Sequence, residues 1–181
     1  VLKHGRAGAD VKVPWELSRC AHFVTLGQAY RITGDEAYAR SFFTQIEDWI
    51  RENPPKYGVN WACPMDVALR ACNWLLAWDF FSTSVARTTF FDDNFSASLF
   101  EHGLHIRRHL EWGAEMSSNH YVANLLGLLY IGQALVQAEW ICFAVEELEK
   151  EIFNQTFNDG FDYESSTAYH RLVLEMFFYA A

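Results

Sequence analysis

"SSNHYVANLLGLLYIG", residues 117–132, sets small polar residues and an imidazole immediately before an apolar run whose Val, Leu and Ile recur at helical spacing. A half-buried strand would alternate polar with apolar, and no convincing alternation occurs here or elsewhere in the 181 residues. The fold class is therefore all-α. Ser118 or Asn119 is the natural entrance to this helix, because a short polar side chain accepts from the unpartnered N–H groups of a first turn.

Outward from this segment the same periodicity gives seven helices. The first opens at Pro14, a residue suited to a first helical position, and runs to about residue 33. The second is capped by Asp35 and stopped by Pro54 and Pro55 of "RENPP". A third starts near Pro64 and carries "MDVALRACNWLLAWDFF", and after the looser "STSVARTTFFDDN" a fourth spans about residues 94–111. The helix that opens at Ser118 or Asn119 is the fifth. The sixth covers roughly residues 138–157 with no strong break before it, and the seventh starts after "DYESS". "LGQAYRITGDEAYARSFFTQIEDWIRENP" resembles a tetratricopeptide unit. About 34 residues on, "NWACPMDVALRACNWLL" lacks its Leu-Gly and Tyr positions, so a repeat array is rejected.

In a chain of antiparallel helices the odd-numbered members enter from one rim. The loops feeding them, "GADVKVPWE", "NPPKYGVNWACP", "EWGAEMSSNH" and "FNDGFDYESSTAYH", hold most of the Asn, Trp, Tyr and Gly that suit a core badly. Polar chemistry is expected at that rim.

Composition bounds what such a rim recognises. With 51% hydrophobic residues the chain builds one helical domain, residues 1–181. Aromatics at 17% fit either a carbohydrate groove or an aromatic core. A net charge of -9 supplies no global field for nucleic acid, so recognition of an anion must be local. No apolar run reaches the ~20 residues of a membrane span, and "VLKHGRAGAD" lacks a signal-peptide core. The absent initiator Met and the apolar ending "HRLVLEMFFYAA" lead us to expect a fragment of a longer chain. Cys20, Cys63, Cys72 and Cys142 form no CxxC pair and are expected as buried free thiols rather than a zinc site or disulfide framework.

Asn119 and His120 sit where a helix N-terminus offers free N–H groups and about half a positive charge. They admit two readings: a cap beside a satisfied histidine, or donors that hold a carboxylate. Tyr169 stands just after the capping candidates Ser166 and Thr167, either as a solvated phenol or as an acid-base group whose pKa of about 10 the helix end and an imidazole would lower. His102, His105 and His109 share one face of the fourth helix; with Arg107 and Arg108 among them, a solvated basic stripe is expected rather than a metal site. Glu16 and Arg19 suit a helical ion pair. Trp61, beside Asn60 on its loop, stacks on a sugar or packs against a helix.

Taken in order, "DVKVPWELSR", "RENPPKYGVNWACPMDVALRACNW", "SSNHYVANLLGLLYIG" and "DGFDYESSTAYHRLVLE" resemble the helical domain of the heparinase II/III family of polysaccharide lyases, related alginate lyases included. The resemblance implies an incomplete α/α toroid of antiparallel helix pairs, a β-sandwich domain that this chain lacks, and a periplasmic or secreted location. It also implies β-elimination on an acidic, uronate-containing polysaccharide, with no cofactor, no metal, no nucleic acid and no membrane partner. By that resemblance Asn119 matches the asparagine that helps neutralise the uronate carboxylate, His120 the histidine adjacent to it, and Tyr169 the catalytic tyrosine. Trp15, Arg19, Asn60, Trp61, Arg70 and His170 are the substrate-binding candidates, while Lys12 and the stripe from Arg107 to His109 add local positive charge. The competing expectations are a non-catalytic carbohydrate-binding or scaffold domain of the same fold, and a toroidal glycoside hydrolase with acids among Glu16, Asp66 and Glu164.

Overall fold

Two helices that are apolar on nearly every face must lie inside, and these are α4 (Pro64–Phe80) and α6 (Asn119–Leu135). They meet closely because Gly127 has no side chain: a Cβ there would stand 2.7 Å from that of Ala68. Around this pair the computed structural model, which describes residues 10–181, places α1 (Lys12–Ser18), α2 (His22–Thr33), α3 (Glu36–Glu52), α5 (Thr89–Arg108), α7 (Ala138–Gln155) and α8 (Thr167–Ala180). A short 3-10 turn, Val59–Trp61, leads into α4. Among the described residues there is no strand, only an isolated antiparallel bridge between Thr156 and Asp162. The beginning of the first expected rim loop and residues 1–9 of the expected domain lie outside the described residues.

The packing order gives the architecture. α2, α4, α6 and α8 touch in succession as an inner row, while α3, α5 and α7 pack outside as partners of α2, α4 and α6. This is an incomplete α/α toroid. α3 shows why the outer row stays outside: Ala39, Phe42, Phe43 and Ile46 form one buried face, and the rest of the helix is largely polar. Phe42 stacks on Phe81 with ring centroids 4.7 Å apart, tying α3 to the end of α4. Burial of an aromatic or branched aliphatic side chain of this kind stabilises by roughly 1.5–3 kcal/mol.

Two helix boundaries differ from the sequence reading. The expected first helix is two, broken at Cys20, whose φ of 56° is left-handed. The break turns polar groups inward: Ser18 Oγ accepts from Arg70 Nη1 at 2.7 Å and the Arg19 carbonyl accepts from Asn73 Nδ2 at 2.8 Å. α5 starts at Thr89 rather than near Asn94, because Thr88 Oγ1 caps it by accepting from Phe91 N at 3.1 Å. α7 opens at Ala138 as expected, and the break before it, which the sequence did not mark, lies at Val136, φ 55°, where the Gln137 N–H closes on the Gly132 carbonyl at 2.8 Å.

Candidate active site

Side-chain caps fix the entrances of the two helices that carry the candidate chemistry. Ser118 Oγ accepts from His120 N at 3.3 Å to start α6, and Ser166 Oγ accepts from Tyr169 N at 3.5 Å to start α8. Both first turns open onto one pocket of about 220 Å³, into which Asn119, His120 and Tyr169 all face. α1 supplies another wall with Lys12, Trp15 and Glu16, and Arg19 at its C-terminal cap continues it. Cys63 and Asp66 close the pocket from the entrance of α4. α4, α6 and α8 thus gather their N-terminal ends at one pocket, as antiparallel alternation requires.

Asn119 and His120, in the first turn of α6, are each held by a carboxylate. Asn119 is 4% exposed, and its Nδ2 donates to Glu164 Oε1 at 2.6 Å while its backbone N–H reaches the same oxygen at 3.3 Å. The chain's own Glu164 therefore occupies the helix-end anion position, using one of two amide hydrogens and leaving the other. Asn119 Oδ1 is buried without a partner. His120 Nδ1 pairs with Glu111 Oε1 at 2.8 Å. That hydrogen bond raises the His120 pKa against an opposing burial effect, and the Glu111 charge adds to it. Burial pushes the Glu111 carboxyl up, but His120, Asn124 Nδ2 and the Met65 N–H outweigh it and hold the pKa below the ordinary carboxylate value. Both shifts describe an imidazolium-carboxylate pair, with Nε2–H as the donor left to the pocket.

Tyr169 is 45% exposed at the mouth. Trp15 is half-buried, its Nε1 donating to the Val59 carbonyl at 2.8 Å, so the indole is fixed as part of the wall. Arg19 makes the expected ion pair with Glu16 at 2.7 Å and another with Asp66 at 2.6 Å. Two carboxylates thus claim a guanidinium expected for substrate. Of the acids expected for hydrolysis, Asp66 is 1% exposed and bridged to Arg19, and Glu164 is tied to Asn119.

Four expected ligand residues do not line the pocket. Arg70 is 0% exposed, donating to His102 Nε2, Ser18 Oγ and the Asn60 carbonyl, with its guanidinium 4.2 Å over the Trp49 ring. Trp61 is buried and donates to the Asn53 carbonyl at 3.2 Å; it packs rather than offering a face to sugar. Asn60 Nδ2 is bonded to Asn53 Oδ1 at 2.8 Å. His170 stacks on Phe161 at 4.3 Å and accepts from Asp162 N. The solvated histidine stripe is also corrected: His102 and His105 are buried, and Arg107 lies 4.2 Å over the Phe143 ring. Cys20, Cys63 and Cys72 are buried free thiols as expected, whereas Cys142 is exposed.

Glu111 is the residue the sequence reading missed. It lies in the irregular connection between α5 and α6, where its backbone N–H donates to Asn124 Oδ1 at 2.8 Å. An acid within the polar "EWGAEM" looks like any solvated loop residue, and only the fold brings α4 and Asn124 against it.

An inner row of helix entrances opening on a polar, Trp-walled pocket places the chain among α/α-toroid proteins. The chain belongs to the heparinase II/III family: residues 3–181 match the heparinase II/III N-terminus. It is 26% identical to a heparin-sulfate lyase of Bacteroides stercoris over 193 aligned residues, which cover 93% of this chain and 28% of that protein. A heparin-sulfate lyase of Pedobacter heparinus is 28% identical, with 93% of this chain and 26% of the relative covered. The chain thus spans about a quarter of the length of these relatives. A crystal structure of a heparan sulfate lyase mutant from Pedobacter heparinus superposes with a TM-score of 0.76 at 26% identity, covering 98% of this chain and 28% of that one. A heparinase III structure reaches 0.81 at 23% identity, over 98% of this chain and 28% of the other, and shows the shared fold.

Proposed function

We propose that this chain is the helical part of a polysaccharide lyase that cleaves beside a uronic acid by β-elimination, with a heparan-type polysaccharide as its first candidate substrate. The observation that carries the reading is the convergence of Asn119, His120 and Tyr169 on one pocket walled by Trp15. The C5 proton of a uronate is weakly acidic, and the negative charge of an enolate-like species develops on the carboxylate as it leaves. The free amide hydrogen of Asn119 and Nε2–H of a cationic His120 are suited to that carboxylate, and preorganised donors of this kind are worth about 3–4 kcal/mol each. Because Glu111 favours the protonated form of His120, the ring suits the part of a charge-bearing donor better than that of the base. That leaves Tyr169, the exposed phenol, to pass a proton to the departing O4 and to take the C5 proton where both lie on one face. Such acid-base help contributes about 10² to 10⁴ in rate.

The test uses the full-length protein with heparan sulfate, reading the ultraviolet absorbance of the unsaturated uronide product. Tyr169→Phe should abolish product formation while leaving binding nearly intact, and Asn119→Ala should impair turnover. Turnover retained by Tyr169→Phe removes that residue from the chemistry. Cleavage without the unsaturated product identifies a hydrolase, and binding without cleavage a scaffold.

A further inference from the structure

Beside the pocket, three donor atoms of different chemistry meet. Cys63 Sγ at the cap of α4, Glu111 Oε1 in the connection before α6, and His120 Nδ1 in the first turn of α6 all lie within 4.8 Å of one another. Glu111 divides its oxygens between two tasks. Oε2 accepts from Met65 N at 2.9 Å and from Asn124 Nδ2 at 3.2 Å, whereas Oε1 faces His120 Nδ1 at 2.8 Å and Cys63 Sγ at 3.9 Å. The carboxylate is therefore anchored through Oε2 and its own backbone N–H, and Oε1 holds its place without help from His120. A ligand oxygen fixed by outer hydrogen bonds is the usual support of a protein metal site.

We propose that Cys63, Glu111 and His120 form a binding site for a zinc-class divalent cation, with the fourth coordination position open to the pocket. Ligand lengths of about 2.0–2.3 Å around a tetrahedral zinc place donor atoms roughly 3–4 Å apart, so the observed cluster needs side-chain adjustments of an ångström or less. A thiolate and an imidazole select zinc over calcium or magnesium, which favour all-oxygen shells. On binding, the cation enters and two protons leave to solvent, one from the Cys63 thiol and one from His120 Nδ1. Burial pushes the lone Cys63 thiol up to about 12, and the charges of Glu111 and Asp66 contribute in the same direction. The same negative surroundings favour a cation, which supplies the stabilisation that the thiolate lacks alone.

The site stands on donor geometry, independent of the lyase reading. Its consequence for that reading is inhibitory: a bound cation replaces the Glu111–His120 pair and occupies the pocket wall.

The test is titration of the 181-residue chain with Co²⁺ in a Cys142→Ser background, which removes the exposed thiol, followed by displacement with Zn²⁺. The site predicts one equivalent of Co²⁺ with a thiolate-to-cobalt charge-transfer band that Zn²⁺ abolishes. Cys63→Ser should lose the band, and His120→Ala should keep it while weakening affinity at least tenfold; circular dichroism establishes that each variant is folded. No charge-transfer band, a band that survives Cys63→Ser, or affinity unchanged in His120→Ala overturns the site. Each of these readouts is spectroscopic, so failure of the metal site leaves the lyase test untouched, and the converse holds.

Discussion

Mild acid should destabilise this fold through two histidines that the folded chain keeps neutral. His102 is fully buried between Arg70 Nε, 3.0 Å from its Nε2, and the Ser98 carbonyl, 2.7 Å from its Nδ1. A carbonyl only accepts, so Nδ1 carries the proton and Nε2 offers its lone pair to the guanidinium. Protonating Nε2 would set N–H against N–H and place a second charge beside Arg70. Burial, then that charge, hold the His102 pKa well below its ordinary value. His105, 7% exposed, is lowered to about 4 by burial first and by His109 and Arg70 next.

The unfolded chain has both rings near pH 6.5 and so takes up protons first as pH falls. A depressed folded value therefore means stability that is present above about 6.5 and lost below it, at about 1.4 kcal/mol per pH unit for each ring. From pH 7 to pH 5 His105, lowered to about 4, costs about 2 kcal/mol, and His102, lowered in the same direction, costs up to as much again. Domains of ordinary stability have about 5–15 kcal/mol in all. His120 works in the other direction: its raised value adds stability as pH falls through the folded pKa, so the net loss is smaller than the sum. His102→Gln isolates one ring, because a glutamine amide accepts from Arg70 and donates to Ser98 without titrating. Urea unfolding at pH 7 and pH 5 should show this variant weaker at pH 7 but with an acid loss smaller than the parent's by up to about 2 kcal/mol. An equal acid loss in both proteins would refute the assignment.

Two further outcomes follow from single contacts. Glu164→Gln in the full-length protein keeps an acceptor beside Asn119 but removes the charge assistance, so kcat on heparan sulfate should fall about tenfold at similar KM, read by steady-state product absorbance. Gly103→Ala places a Cβ 2.2 Å from Trp140 Cζ3, an overpacking worth about 1–3 kcal/mol that exceeds the gain of roughly 1 kcal/mol in helix propensity; thermal unfolding should show a lower Tm, relieved by adding Trp140→Leu.

What the sequence made legible is chemistry that acts over one turn. Asp35, Ser118 and Ser166 cap the helices that follow them, and Pro64 opens α4. Helix order and the shared rim follow from such local signals plus alternation. The breaks at Cys20 and Val136 were not legible, because neither residue favours the left-handed region. Each is held there by its surroundings: Ser18 and Arg19 by α4, and Val136 by the close approach of Ile141 to Gly132. Arg70 misled for a related reason. An arginine near a polar rim normally seeks water, and only three packed aromatic or imidazole rings and a buried serine make its interior position tolerable.

The carboxylates behind the pocket explain how an acidic chain presents an anion site at all. Arg19 is held by Glu16 and Asp66, which line the pocket beside it, His120 by Glu111 and Asn119 by Glu164, so these three donors each have an acid fixing them. Such pairing cancels most of the long-range field, and attraction of a polyanion from a distance is correspondingly weak. At contact the balance differs. A donor already locked in place loses little conformational freedom on binding, and its remaining N–H acts over hydrogen-bond distance, where cancellation by a carboxylate on the far side is incomplete. Selectivity in the pocket therefore rests on fixed direction rather than on excess charge, which fits the proposed reaction, where further negative charge builds on an already anionic carboxylate as the C5 proton leaves.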